Sequence, residues 1–243
     1  MTAPVYVYGI VRAGALDGLS VEGVADRPVA TIEGDGVAAV ASELTQEPFR
    51  VRRRDLHRHL DVLEAAFAQT ALVPCAFGMV LQSREAVVEE LLGPRRAELL
   101  GLIERLDGRA QLNVTAVYDE DTVLREVVQS EPEIARLREQ SRALGEAGHF
   151  AGIRLGELVA AALEERRAVD SPRLLGRLGA KADDVLVEEA ALPVVLKASF
   201  LVSRADGFEA TLEELAAEEA PRLSFESIGP LPPTAFATLE AAG

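Results

Sequence analysis

The 243-residue chain has no tryptophan, one cysteine and three histidines, and only 5% of it is aromatic. Each scarcity excludes something. With so few flat rings, a stacking platform for nucleic-acid bases is poorly supplied. Cys75 has no partner for an intramolecular disulfide, which fits a reducing compartment such as the cytoplasm. No apolar run approaches the ~20 residues of a membrane-spanning helix. The first residues lack the charged-then-apolar pattern of a secretory signal, so neither membrane insertion nor export is expected. Positive charge is also short: the net charge is −15, and of 25 basic residues only Lys181 and Lys197 are lysine. The one basic cluster, Arg50 with Arg52, Arg53 and Arg54, is followed at once by Asp55 and reads as a solvated helix start. A phosphate backbone is therefore not an expected partner.

What is present is core material. Hydrophobic residues make up 49% and charged ones 27%, the balance of a folded chain. Val5 to Val11 is β-branched and aromatic on both faces and predicts a central, covered strand. A Gly-rich loop over 12–27 follows. Strands Val29 to Ile32 and Val37 to Leu44 then flank Glu33-Gly34-Asp35-Gly36, a hairpin signal. Arg52 to Ala71 reads as a helix with Leu56, Leu60, Leu63 and Phe67 on one face. Leu72 to Leu81 reads as extended, with Pro74 at its start or on an edge. A helix starts at Ser83, breaks at Gly93-Pro94 and continues through Leu99, Leu102, Ile103 and Leu106 until Asp107-Gly108.

Gln111 to Tyr118 alternates as a half-buried strand. Residues 119–180 read as helical pieces, with breaks expected at Pro132 and Pro172. In the last piece Gly148, Gly152, Gly156 and Ala160 make a row of small residues suited to close backbone packing. Val185 to Val187 and Val194 to Val202 read as strands. Asp206 to Glu209 fits a capping box before a helix that buries Phe208, Leu212 and Leu215. Arg222 to Ile228 is a last strand, and Gly229-Pro230-Leu231-Pro232-Pro233 an extended tail. The second half thus runs strand, helices, strand, strand, helix, strand, the split βαβ order of ferredoxin-like folds. The first half has the same order with loop in place of the first crossover helix. The expected fold class is α+β, with two ferredoxin-like domains or variants of them. The first spans 1–108; the second spans 109–243 and carries extra helices and the Pro-rich tail.

Chemistry is sparse. Cys75 lies in an apolar segment and reads as a small buried hydrophobe. No nucleophile elbow, dinucleotide fingerprint or phosphate loop occurs. His57 and His59 point roughly 200° apart on a helix, so they cannot share a metal, and His149 stands alone. Asp119-Glu120-Asp121 sits at a helix start, where the dipole accounts for it. Glu188-Glu189 lies beside a turn. No catalytic, cofactor or metal residues are assigned.

Five strings, in order, resemble one family, the GvpF/GvpL gas vesicle proteins, along almost the whole chain. Val5 to Val11 is similar to its first strand. Leu72-Val73-Pro74-Cys75-Ala76-Phe77-Gly78-Met79-Val80 is similar to its P-x-x-F-G segment. Gln111 to Tyr118 sits where its second half begins. Ser199-Phe200-Leu201-Val202 is similar to its A-F-L-V strand. Gly229-Pro230-Leu231-Pro232-Pro233-Thr234-Ala235-Phe236 is similar to its terminal G-P-W-P-P-Y-x-F, with Leu231 and Thr234 in place of aromatic residues. Gln111 and Thr115 stand where charged residues are common. The resemblance implies a non-enzymatic minor component of gas-vesicle assembly. Its implied partner is the main shell protein, with other accessory proteins besides, and it needs no cofactor. It would be cytoplasmic before assembly and associated with the vesicle afterwards. The tail residues Gly229, Pro230, Leu231, Pro232, Pro233 and Phe236 are candidate partner contacts; the competing reading makes the tail an internal strap. The alternative function is a small-molecule sensor built on ferredoxin-like domains.

Overall fold

Val5 to Val11 contains no charged side chain, and in the computed structural model this run is the middle of the first sheet. The structure describes residues 3–45, 52–144, 149–204 and 207–240. β1 (Val5–Arg12) is buried up to Val11, as a strand with two apolar faces requires. β2 (Ala30–Glu33) and β3 (Val37–Glu43) form the expected hairpin. Gly36 in its turn has φ 81°, a left-handed conformation that favours glycine. The expected extended run from Leu72 to Leu81 is two short strands instead, β4 (Val73–Pro74) and β5 (Val80–Leu81), both antiparallel to β1. The interruption has a local cause. Gly78 turns to φ 92° and gives its N–H to the Tyr6 hydroxyl at 2.9 Å instead of to a strand. The sheet order β2-β3-β1-β4 is the ferredoxin-like order, with Pro74 on an edge strand.

α1 (Arg53–Phe67) packs on this sheet by a face rotated from the leucine stripe. Leu63 and Phe67 are buried, but the inward positions above them are His59 and Asp55, while Leu56 and Leu60 remain 42% exposed. Polar anchors decide the rotation. Asp55 accepts from the backbone N–H of Arg52 at 2.8 Å and of Ala25 at 3.3 Å, and His59 is bonded to Tyr6 at 3.0 Å. Burying the leucines instead would leave these groups unpaired. α2 (Arg84–Ala86) starts at the expected Ser83, whose Oγ accepts from Ala86 N–H at 3.1 Å. One π-helical turn (Val87–Leu92) continues it. α3 (Arg96–Leu106) buries Leu99, Ile103 and Leu106.

The loop that stands in for the crossover helix is fastened from beneath. Val24 N–H donates to the Tyr8 hydroxyl at 2.7 Å; Tyr8 donates to Ser42 Oγ at 2.9 Å; Ser42 donates to the Pro28 carbonyl at 2.9 Å. Gly23 lies against this relay. A Cβ there would fall 2.2 Å from Tyr8 Oη and 2.5 Å from Ser42 Oγ, although its φ of −85° suits any residue. Gly23→Ala is therefore expected to lose about 2 kcal/mol by overpacking alone. A urea midpoint unchanged from the parent would refute the fastening role.

In the second unit β6 (Arg109–Tyr118) is central, with Leu112, Val114, Ala116 and Tyr118 buried in the predicted alternation. Around it come α4 (Glu120–Ser130), α5 (Pro132–Leu144), α6 (His149–Gly179), β7 (Asp184–Val187), β8 (Val194–Ser203), α7 (Phe208–Glu219) and β9 (Leu223–Leu231). The order β7-β8-β6-β9 repeats the pattern of the first sheet. Pro132 separates α4 from α5 as expected and opens α5. Pro172, expected to break a helix, lies inside α6. Tertiary packing holds the helix on both sides of it: Asp170 is anchored before, and Leu174 and Leu178 are fully buried after. α7 buries Phe208, Leu212 and Leu215 as expected. Its N-cap is Gly207, without a side-chain cap bond, and Asp206 lies outside the described residues, as does Gly148.

The chain divides into two compact units, Met1–Gln111 with Gly229–Gly243, and Leu112–Ile228. The tail, expected with the second domain, groups with the first. The reason is backbone pairing: Leu239 N–H donates to the Pro74 carbonyl at 2.9 Å, and Ala76 N–H donates to the Leu239 carbonyl at 2.7 Å. The tail thereby occupies the edge that β4 would otherwise expose.

Candidate functional site

The six tail candidates have unequal environments. Gly229, Pro230 and Leu231 are not free tail but the end of β9, where the strand outruns its expected limit at Ile228. Gly229 and Pro230 are exposed, Leu231 and Phe236 are half-buried, and Pro232 and Pro233 are buried. Beyond them Ala235 N–H donates to Gln111 Oε1 at 2.8 Å, a side chain itself 4% exposed. Burial of the two prolines and these backbone bonds belong to a strap. Only Gly229 and Pro230 present themselves fully to a partner.

Several of the titratable groups singled out by sequence are in structural employment. Burial pushes the Cys75 thiol up to about 12, so it is neither thiolate nor nucleophile at neutral pH. Burial also lowers His59 to about 4, against a weaker opposing hydrogen bond with the Cys75 backbone. His57 faces solvent on the same helix, so the two rings diverge as expected. Asp119 caps α4, accepting from Thr122 N–H at 2.9 Å, and hydrogen bonding with the Thr122 side chain and then its backbone lowers its carboxyl. Glu188 pairs with Lys197 at 2.6 Å. Among the described residues no three His, Cys, Asp or Glu side chains converge as a metal site. A recess of about 420 Å³ beside Lys197, which a sensor could use, also holds Arg167; both cations are already paired, Arg167 with Glu164 at 3.6 Å.

One charged cluster was not legible in the sequence. Arg222, in the turn just before β9, reaches Asp170 of α6, Glu126 of α4 at 3.0 Å and Glu219 of α7 at 3.5 Å. Its guanidinium lies 5.3 Å over the Tyr118 ring, and Tyr118 donates to Asp170 Oδ2 at 2.6 Å. Burial pushes the Asp170 carboxyl up, but bonds from Arg222, Tyr118 and Arg173 outweigh it and hold the group below its ordinary value. The partners come from residues 118, 126, 170, 219 and 222, a spacing with no local signature.

Exposed apolar side chains are the other feature. Phe150 is 84% exposed, Val169 68%, Val187 55% and Ile228 53%. Between α4, α5 and α6 lies a groove of about 410 Å³. Leu124 and Val128 of α4 line it, with Leu155 and Val159 of α6 and the buried Ile134 of α5. Both half-exposed pairs are i,i+4 aliphatic pairs, so each makes a short ridge along its helix. That spacing was present in the sequence, but without the helix pairing nothing marked it as a groove. The small-residue row contributes less: a Cβ at Gly152 would lie 3.8 Å from Ser141 Oγ, and one at Gly156 would meet nothing within 4 Å.

Residues 4–238 match the family model described as gas vesicle synthesis protein GvpL/GvpF. The chain is 35% identical over 236 residues to gas vesicle protein F of Streptomyces sp. strain CB03234, covering 95% of this chain and 98% of that one. Its structure is similar to the crystal structure of the gas vesicle protein GvpF from Anabaena sp. PCC7120, with a TM-score of 0.81 and 26% identity, over 97% of this chain and 98% of that one. It is also similar to GvpF from Microcystis aeruginosa, with a TM-score of 0.73 and 25% identity, over 98% and 100% of the two chains.

Proposed function

Since this chain belongs to the GvpL/GvpF family of gas vesicle synthesis proteins, we propose that it is an accessory protein of vesicle assembly that binds the main shell protein. It shields the shell protein's apolar face before assembly or helps nucleate its ordered addition. A subunit that walls gas off from water must carry a large apolar face, which aggregates if left bare. A chain of net charge −15 stays soluble while it covers such a face. The observation that carries the reading is the set of aliphatic surfaces this acidic chain leaves open, above all the groove between α4, α5 and α6. The work asked of it is binding, with no catalytic step and no cofactor. It takes place in the cytoplasm and at the growing vesicle, among the other accessory proteins.

The test is a pull-down of purified main shell protein by this chain, with salt varied, beside light scattering of the shell protein alone and mixed. Association that persists at high salt, with slower aggregation, is the expected result. No association at any salt would overturn the reading and leave the small-molecule sensor to be screened by thermal shift.

A further inference from the structure

The groove between α4, α5 and α6 has a rim as well as a floor. Arg125 and Arg138 stand on it, with Asp121 at one end. Among the described residues the Arg125 guanidinium donates to the Asp121 carbonyl at 3.0 Å and the Thr122 hydroxyl at 3.2 Å. Among the described residues, neither Arg125 nor Arg138 has a carboxylate within ion-pair distance. Arg154, Arg167, Arg173, Arg177 and Arg222 of the same unit do have carboxylate partners, whereas Arg125 and Arg138 are the cations that line the apolar groove. In a chain with 40 acidic and 25 basic residues, two guanidinia left without carboxylates beside an apolar slot mark a place where the negative partner comes from outside.

The shape narrows the occupant. The ridges Leu124/Val128 and Leu155/Val159 run along two helices with Ile134 beneath, which leaves a furrow of the kind that accepts a third helix, ridge into groove. We propose that this groove receives an amphipathic helix whose aliphatic i, i+3, i+4 side chains fill the slot and whose flanking carboxylates meet Arg125 and Arg138. Resting on the function proposed above, that helix belongs to the main shell protein.

The experiment measures the affinity of purified main shell protein for the full chain and three variants. Arg125→Glu with Arg138→Glu reverses the rim, Val159→Asp fouls the slot, and Pro230→Ala alters the exposed end of β9. Among the described residues the rim reversal breaks no ion pair, and circular dichroism and melting check its fold independently of Val159→Asp. About a tenfold or greater loss of affinity is expected for the rim reversal and for any folded Val159→Asp, with Pro230→Ala unchanged. Equal binding by parent and rim reversal overturns the groove while leaving the shell-binding function standing. No binding even by the parent removes both. If the rim reversal instead dissociates copies of this chain in sedimentation and leaves shell binding intact, the occupant is a second copy and the inference is overturned.

Discussion

Arg222→Ala is expected to cost the second unit about 3 kcal/mol, among the largest effects of any single truncation at a charged residue here. Asp170 is 6% exposed, and Arg222 is the cation that meets it from the turn before β9. Without it the carboxylate keeps Tyr118 and Arg173, but it loses the partner that also reaches Glu126 and Glu219. Three carboxylates are then gathered around a vacated position. A buried ion pair is weak evidence for net stability when replaced whole, but removing one member leaves the remaining buried charges less well compensated. Arg222→Lys retains the charge without the planar fork, and about half the loss is expected to return. Urea denaturation of the three proteins decides the matter. A drop below about 1 kcal/mol for Arg222→Ala would show that water replaces the guanidinium without penalty. The linkage follows the same contacts. Because the Asp170 carboxyl is held below its ordinary value in the folded chain, its contribution is complete above about pH 4 and is lost as pH falls further.

A second loss is expected at milder acidity and in the other unit. His59 is 3% exposed. Its neutral ring fits a relay in which Gly78 N–H donates to Tyr6 Oη, Tyr6 donates to Nδ1, and the ring bonds the Cys75 backbone. Burial opposes the charged ring, and a proton on Nδ1 also places a donor where Tyr6 already donates. The unfolded chain takes up that proton near pH 6.5, the folded one only near 4. Stability is thus complete above 6.5 and declines through the window down to 4, by about 3 kcal/mol in total. Urea midpoints followed by tyrosine fluorescence, in a protein without tryptophan, report this, since two of the three tyrosines, Tyr6 and Tyr8, lie in the first unit. His59→Asn, which keeps an acceptor toward Tyr6, is expected to flatten the decline between about pH 7.5 and 4.5. An equally steep decline in that variant would assign the acid sensitivity to other groups.

These residues show where sequence periodicity stops being informative. Leu56 and Leu60 satisfy the helical spacing of a buried stripe, yet α1 turns them outward, because Asp55 and His59 have buried partners that leucine cannot replace. Pro172 should end a helix by the loss of one hydrogen bond and a clash, yet α6 continues through it because Asp170 and Leu174 are fixed on either side. In both cases a tertiary contact outweighs a local preference of comparable size. The tail shows the same limit. Its prolines announce extended chain, but only the pairing of Leu239 with the Pro74 and Ala76 backbone tells a strap from a free arm.

The sequence by itself determined the order of strands and helices, the central place of Val5 to Val11, the hairpin at Gly34 to Gly36 and the family to which the chain belongs. These follow from apolar period, turn residues and ordered strings, all properties of neighbouring positions. Only the tertiary structure decided which helix face is buried, which unit the tail joins, how Arg222 gathers three carboxylates, and that Leu124, Val128, Leu155 and Val159 face one groove. Those outcomes depend on residues far apart in the chain, whose meeting is set by sheet order and by the need to pair every buried polar group.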